Sequence, residues 1–286
     1  MSTSRWLRHR VAEGPVLVCP GAANALAARV IEECGFEACY VTGAGIANTY
    51  LGAPDLGLVT LSELAGHVAA IRDAVGLPLV VDADTGFGNP LGVQRTVRMI
   101  ERAGADAIQI EDQVHPKRCG HFGGKEVVPV GEMVAKIHAA VDARRDDDLL
   151  IVARTDARAV DGFDAAIDRA ARYAEAGADV TFVEAPTTVE ELLSVPRRLP
   201  GVPQVANLVE GGRTPVVPVD QLGDFRIALF ANLALQAAVR GMHRALSALR
   251  ATGSLVDAAA DIAGWDERQR LVRKPAFDAL EQRYGG

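Results

Sequence analysis

The chain has 286 residues, of which 49% are hydrophobic and only 5% aromatic, and it carries a formal net charge of −7. With no run of basic residues, that balance excludes a nucleic-acid or anionic-membrane partner and requires any basic site for an anionic substrate to be local. No apolar stretch reaches the ~18 residues of a membrane span, so a soluble, cytoplasmic protein is expected.

The length suits one α/β barrel, and a single domain over residues 1–286 is expected. The basic start, Met1 to Arg10, lacks the apolar core and small-residue cleavage site of a targeting peptide, and leads through Glu13, Gly14 and Pro15 into the strand-like Val16-Leu17-Val18. Short Val/Ile/Leu runs predict strands at 16–19, 37–42, 78–81, 106–110, 150–153, 180–183, 203–206 and 225–229. Between them, segments such as 90–103 place Val93, Val97 and Ile100 at helical spacing. Continuous apolar strands alternating with amphipathic helices imply a parallel sheet covered by helices, and eight of them suggest a (β/α)8 TIM barrel. Cys19, Cys34 and Cys39 lie in apolar stretches and read as core thiols of a reducing compartment.

A faint repeat supports the barrel. Ala103-Gly104-Ala105-Asp106 leads through an apolar run to Glu111, Ala176-Gly177-Ala178-Asp179 leads to Glu184, and Cys34-Gly35-Phe36-Glu37 leads to Thr42. In each, a glycine ends a helix and an apolar strand finishes in a polar residue. The strand ends together carry Thr42, Asp82 with Asp84, Glu111 with Asp112, Arg154, Glu184 and Asn207. One or two polar strand ends need only solvent; a succession of acids with an arginine implies the functional C-terminal rim of a barrel. Beyond residue 230 a long helix is predicted with Leu235, Met242, Leu246 and Leu249 on one face. Residues 253–286 then form an extra C-terminal helical segment, which Trp265, Leu271, Phe277 and Leu280 suit to an oligomer interface.

Two segments carry chemistry. In Asp82-Ala83-Asp84-Thr85-Gly86-Phe87-Gly88, carboxylates at i and i+2 point the same way from a strand, and oxygen-only ligands suit Mg²⁺, with Mn²⁺ a possible substitute, rather than zinc. Glu111 on the next strand could complete the shell, although this segment alone also fits an acidic turn without metal. The long loop Glu111 to Lys125 has the length of a lid, with Gly120, Gly123 and Gly124 as hinges. Within it, Cys119 stands among Lys117, Arg118 and His121, cations that favour a thiolate poised for proton transfer. Cys-x-His without a second Cys/His pair lacks the spacing of a structural zinc site.

Thr42-Gly43-Ala44-Gly45, Gly52-Ala53-Pro54-Asp55-Leu56-Gly57, the Asp82–Gly88 segment, Glu111-Asp112-Gln113, Lys117-Arg118-Cys119-Gly120-His121 and Ala153-Arg154-Thr155-Asp156-Ala157 together resemble the isocitrate lyase/phosphoenolpyruvate mutase superfamily. The likeness runs in consistent order from about residue 15 to 230. The cysteine motif resembles the C–C lyase branch of methylisocitrate and 2,3-dimethylmalate lyases; carboxyphosphonoenolpyruvate phosphonomutases resemble the chain there too, which leaves a P–C bond enzyme as the alternative. The resemblance implies Mg²⁺ on Asp82 and Asp84, directly or through water, with Glu111 in support. It implies a substrate site of Tyr40, the backbone amides of Thr42, Gly43 and Ala44, Gly120, His121, Arg154 and Asn207. Catalytic roles would fall to Cys119 as proton donor, Arg154, Glu184 and Asp55. It also implies a small carboxylate or phosphonate substrate and a homotetramer, a dimer of helix-swapped dimers.

Departures narrow the substrate. Methylisocitrate lyases follow the cysteine motif with arginine where this chain has Phe122, and carry a second arginine near the position of Gln236; Ala231 stands where proline is frequent. A third substrate carboxylate would lack partners, which favours an alkylated malate, unless Arg213 after the seventh strand supplies a replacement cation.

Overall fold

The structure, a computed structural model, describes residues 1–120 and 123–285; the expectations for His121 and Phe122 lie outside the described residues. The first third of the chain runs α1 (Thr3–Glu13), β1 (Leu17–Ala22), α2 (Ala25–Glu33), β2 (Cys39–Val41), α3 (Gly43–Ile46), α4 (Leu61–Ala74), β3 (Leu79–Asp82) and α5 (Pro90–Arg102). Next come β4 (Ala107–Glu111), α6 (Val130–Ala143), β5 (Leu150–Thr155), α7 (Phe163–Glu175), β6 (Val180–Val183) and α8 (Val189–Arg198). The chain ends with β7 (Val205–Asn207), β8 (Ile227–Phe230), α9 (Leu233–Thr252), α10 (Trp265–Leu271) and α11 (Lys274–Tyr284).

All eight strands are parallel neighbours in the order β6-β5-β4-β3-β2-β1-β8-β7. A single parallel bridge, Thr181 to Gln204, links β6 to β7 and nearly closes the barrel. Each predicted strand is present; the sixth has the predicted bounds, and the bounds of the others differ by at most three residues. Pro20 and Gly21, turn signals in isolation, continue β1 because Gly21 lies against the backbone of Ala231, where a Cβ would stand 1.9 Å from its carbonyl oxygen. The repeat's glycines end helices as expected; Gly104, at φ 105°, also leaves no room for a Cβ beside Arg72.

Strand side chains alternate between two buried layers. Leu17, Cys19, Tyr40, Val80, Ala107, Leu150, Val152, Val180, Phe182, Val205, Ile227 and Leu229 fill the barrel interior. The intervening residues, Val41, Val81, Ile108, Ile110 and Ile151 among them, pack against Val68, Val97, Ile100 and Ile137 of the surrounding helices. The N-terminal mouth is plugged by α1, whose Leu7 and Val11 join the interior cluster while Thr3 and Ser4 donate to Asp106 and Arg8 to Asp179.

One expectation is corrected, the burial of Cys34. The basic start, for which no element was predicted, is the helix α1, capped by Ser2. Cys34 is exposed because it caps the C-terminus of α2, whereas Cys19 and Cys39 are buried and burial pushes both thiols up. The predicted α9 forms, but none of its residues is buried against this chain.

Candidate active site

Alternation along the strands explains which residues meet. Continuing the inward positions towards the C-terminal end takes Tyr40 to Thr42, Val80 to Asp82, Val152 to Arg154, Phe182 to Glu184, Val205 to Asn207 and Leu229 to Ala231. The six rim residues Thr42, Asp82, Arg154, Glu184, Asn207 and Ala231, with Ala44, Asp55, Cys119, Gly120, Val209 and Asn232, line a cavity of about 40 Å³ at the barrel mouth. Asp112 has the opposite parity and points out to the helices, where it accepts from Thr155, Tyr173 and Arg169. The strand-end acids therefore divide into a site group and one structural tie.

Asp82 and Asp84 stay together although Asp84 leaves the strand with φ 48°. A Cβ at Gly43 would lie 3.3 Å from Asp82 Oδ2 and 3.4 Å from Asp84 Oδ1, so the two carboxylates and this glycine enclose one cradle. Asp82 is fixed by the Asp84 amide and by Gln109 Nε2, and Gln109 in turn accepts from Tyr40. Glu111 is 1% exposed, and its Oε1 has no hydrogen-bond partner among the described residues. Burial pushes Glu111 well above the usual carboxylate range, against the pull of Arg154. Burial also raises Asp84, to about 6, although the ammonium of Lys117 pulls it down.

Lys117 Nζ lies 2.5 Å from Asp55 and 2.8 Å from Asp84. Burial would lower Lys117, but Asp84, Glu111, Asp55 and Asp82 around it hold the proton on more firmly. Among the described residues no three His, Cys, Asp or Glu side chains form a ready cation cage. Two adjacent carboxylates, a third with a buried unpaired oxygen and glycine backbone beside them nonetheless fit Mg²⁺, which keeps several waters and takes few protein ligands. Such a cation would also reverse the preference of Glu111 for its proton.

Arg154 presents Nε and Nη2 to Asp156, each at 3.0 Å, and leaves Nη1 facing Glu111 at 3.3 Å and Glu184 at 3.6 Å. Its guanidinium lies over the Phe182 ring. Asn207 donates to Glu184 at 3.1 Å. Among the three expected backbone amides, that of Thr42 is committed to Ala22 of β1, because the strand pairing continues one residue further; Thr42 instead caps α3 by accepting from Gly45. Gly43 and Ala44, in the first turn of α3, keep amides without intrahelical acceptors.

The loop after β4 crosses the mouth. Gly120 rests so closely on the site that a Cβ would stand 2.3 Å from Arg154 Nη2 and 2.8 Å from Glu184. Cys119 lines the cavity beside it. A cavity of 40 Å³ is far below an open ligand cleft, so a substrate requires this loop to move aside and return. A larger cleft of about 610 Å³ on the outer flank, lined by Phe87, Asn89, His115, Pro129, Glu132 and Lys136, contains none of the rim acids.

Sequence reasoning missed Gln109, Lys117 as an ion-pair partner, Lys125 and Asp156. Gln109 was detectable as the one polar residue inside the apolar run of β4, two positions before Glu111, and Asp156 as the residue two beyond Arg154. Arg213, offered as a replacement cation, is exposed and lies near Gly123 of the loop; Gln236 is exposed on α9. Neither lines the cavity.

A profile of the phosphoenolpyruvate phosphomutase family matches residues 7–250. The 2,3-dimethylmalate lyase of Eubacterium barkeri is 44% identical over 253 residues, 87% of this chain and 87% of that one. A 2-methylisocitrate lyase of Aeropyrum pernix is 47% identical, over 88% of this chain and 81% of its own. A crystal structure of 2,3-dimethylmalate lyase superposes with a TM-score of 0.92 at 34% identity, covering 100% of this chain and 96% of the other. Phosphonopyruvate hydrolase in complex with oxalate and Mg²⁺ gives a TM-score of 0.90 at 31% identity, covering 99% of each chain. The barrel agrees with the comparisons, and the chain belongs to the phosphoenolpyruvate phosphomutase family and is an enzyme of the isocitrate lyase/phosphoenolpyruvate mutase superfamily.

Proposed function

We propose that the enzyme is a Mg²⁺-dependent C–C lyase that cleaves a 2-hydroxy dicarboxylate with small alkyl substituents, of the 2,3-dimethylmalate class, into an α-oxo acid and a carboxylic acid. The observation that carries this reading is the cavity lining: a single guanidinium, Arg154, which lies over the Phe182 ring, together with the apolar groups of Val209, Leu229 and Ala231. A third carboxylate would meet that apolar side unpaired, at a cost of several kcal/mol. An alkyl group meets it favourably, at about 0.8 kcal/mol per buried methylene.

Held by Asp82 and Asp84, with Glu111 in support, Mg²⁺ or Mn²⁺ would stabilise the negative charge that develops on substrate oxygen. Arg154 grips a substrate carboxylate with the donors that Asp156 leaves free, and the amides of Gly43 and Ala44 receive the carboxylate nearer the bond that breaks. The 2-hydroxyl proton passes to Asp55, whose charge Lys117 balances. Glu184 and Asn207 fix the substrate's orientation. As the C2–C3 bond breaks, its electron pair stays on C3, and the thiol of Cys119 at the roof delivers a proton there. Gly120, pressed onto Arg154, keeps water from the carbanion-like centre.

The same reading makes the protein a cytoplasmic homotetramer, a dimer of helix-swapped dimers. Support comes from the exposed Leu233, Val239, Met242, Leu246 and Leu249 of α9, a stripe that a second copy would bury. No helix of the described residues is long and apolar enough to cross a membrane. The activity is tested by following pyruvate release from 2,3-dimethylmalate and methylisocitrate, and formation of pyruvate or phosphoenolpyruvate from phosphonopyruvate, each with Mg²⁺. Release should be fastest from 2,3-dimethylmalate and vanish in EDTA; turnover of phosphonopyruvate alone would assign the enzyme to the P–C branch.

A further inference from the structure

Lys125 ends the loop that covers the site, and its side chain is 1% exposed. An ammonium group this deep needs acceptors on every side. It has two described partners: the backbone carbonyl of Gly120, and Asp156 Oδ1 at 2.6 Å. Asp156 is fully buried and uses both oxygens to hold the Nε–Nη2 edge of Arg154. One carboxylate therefore receives the arginine from the barrel and the lysine from the loop. The lysine in turn grips the carbonyl of the residue that follows Cys119. Gly120 is the point at which the loop touches Arg154, too closely for any side chain.

We infer that Lys125 is a positioning residue that couples loop closure to the site by locking the Cys119–Gly120 segment to Arg154 through Asp156. When the loop lifts, the Gly120 carbonyl leaves Lys125 and the ammonium loses one of its two described acceptors. When the loop returns, the same contact fixes Arg154 and brings Cys119 into register. The coupling is local to one carboxylate and needs no movement of the barrel. This inference rests on the proposed reading of Arg154 and Cys119 as the two ends of the substrate site.

The test measures alkylation of Cys119 by iodoacetamide, read by peptide mass, with and without Mg²⁺ plus oxalate; exposed Cys34 serves as internal control. In the wild type, Mg²⁺ and oxalate should slow Cys119 alkylation at least tenfold. In Lys125→Met the protection should fall below twofold, with Cys34 unchanged and the circular dichroism spectrum retained. If Lys125→Met does not fold, Lys125→Gln replaces it, and the same loss of protection is expected. Wild-type-like protection in a folded variant overturns the coupling while leaving the proposed site intact. Absence of protection in the wild type itself overturns the site reading, and the coupling with it.

Discussion

Arg154, Cys119 and Asp156 divide the work at the residue scale, and substitutions should separate their roles. Arg154→Lys keeps a charge but cannot both fork to Asp156 and reach a carboxylate, so binding of oxalate with Mg²⁺ should weaken by roughly tenfold or more in calorimetry. Cys119→Ser preserves size but removes an acid of useful strength. Turnover should drop by roughly 10²–10⁴-fold while oxalate affinity changes little. Unchanged turnover in that variant would leave Cys119 as a structural part of the loop. Asp156 is held at about 2, below its ordinary 3.8: burial opposes its charge, but Arg154 and Lys125 outweigh burial. Because the folded value lies below the unfolded one, this stabilisation is present above pH ~4 and lost as pH falls through about 2. Asp156→Asn should therefore cost on the order of 2 kcal/mol at pH 7 in urea unfolding, and its curve should converge on the wild type between pH 4 and 2. The candidate acids and Arg154 were legible in the sequence because strand alternation sends them inward from apolar runs. Lys117 and Lys125 were not, because loop residues have no periodicity to say where a side chain points.

At the scale of elements, Val/Ile/Leu runs and helix-ending glycines marked every strand, since a strand buried on both faces needs continuous apolar residues. The helix α1 escaped notice because only Leu7 and Val11 of its residues are apolar and buried, and its purpose, plugging the barrel floor, exists only once the barrel has closed. The amphipathic pattern of α9 correctly announced a helix, but not that its apolar side faces away from this chain. Two exposed ion-pair sites, Arg270 with Glu33 and Arg273 with Glu32, tie the C-terminal segment to α2 and are worth little singly. The segment's Trp265, Phe277 and Leu280 remain exposed. Deleting residues from 255 onward should therefore convert a tetramer or dimer into smaller, less stable species in light scattering. A full-length protein that scatters as a stable monomer would remove the helix exchange from the account.

For the whole molecule, the barrel holds eight strand ends in a fixed ring, the loop after β4 covers it, and the enclosed space admits one arginine and an apolar side. The chemistry asked of that space is breakage of one carbon–carbon bond, followed by delivery of one proton to the carbon released. The most direct test is to run 2,3-dimethylmalate with the enzyme and Mg²⁺ in D₂O and weigh the products. The account predicts pyruvate and propionate in equal amounts, the propionate carrying a single deuterium at C2. Recovery of intact dimethylmalate, under conditions where the same enzyme turns over phosphonopyruvate, would contradict it.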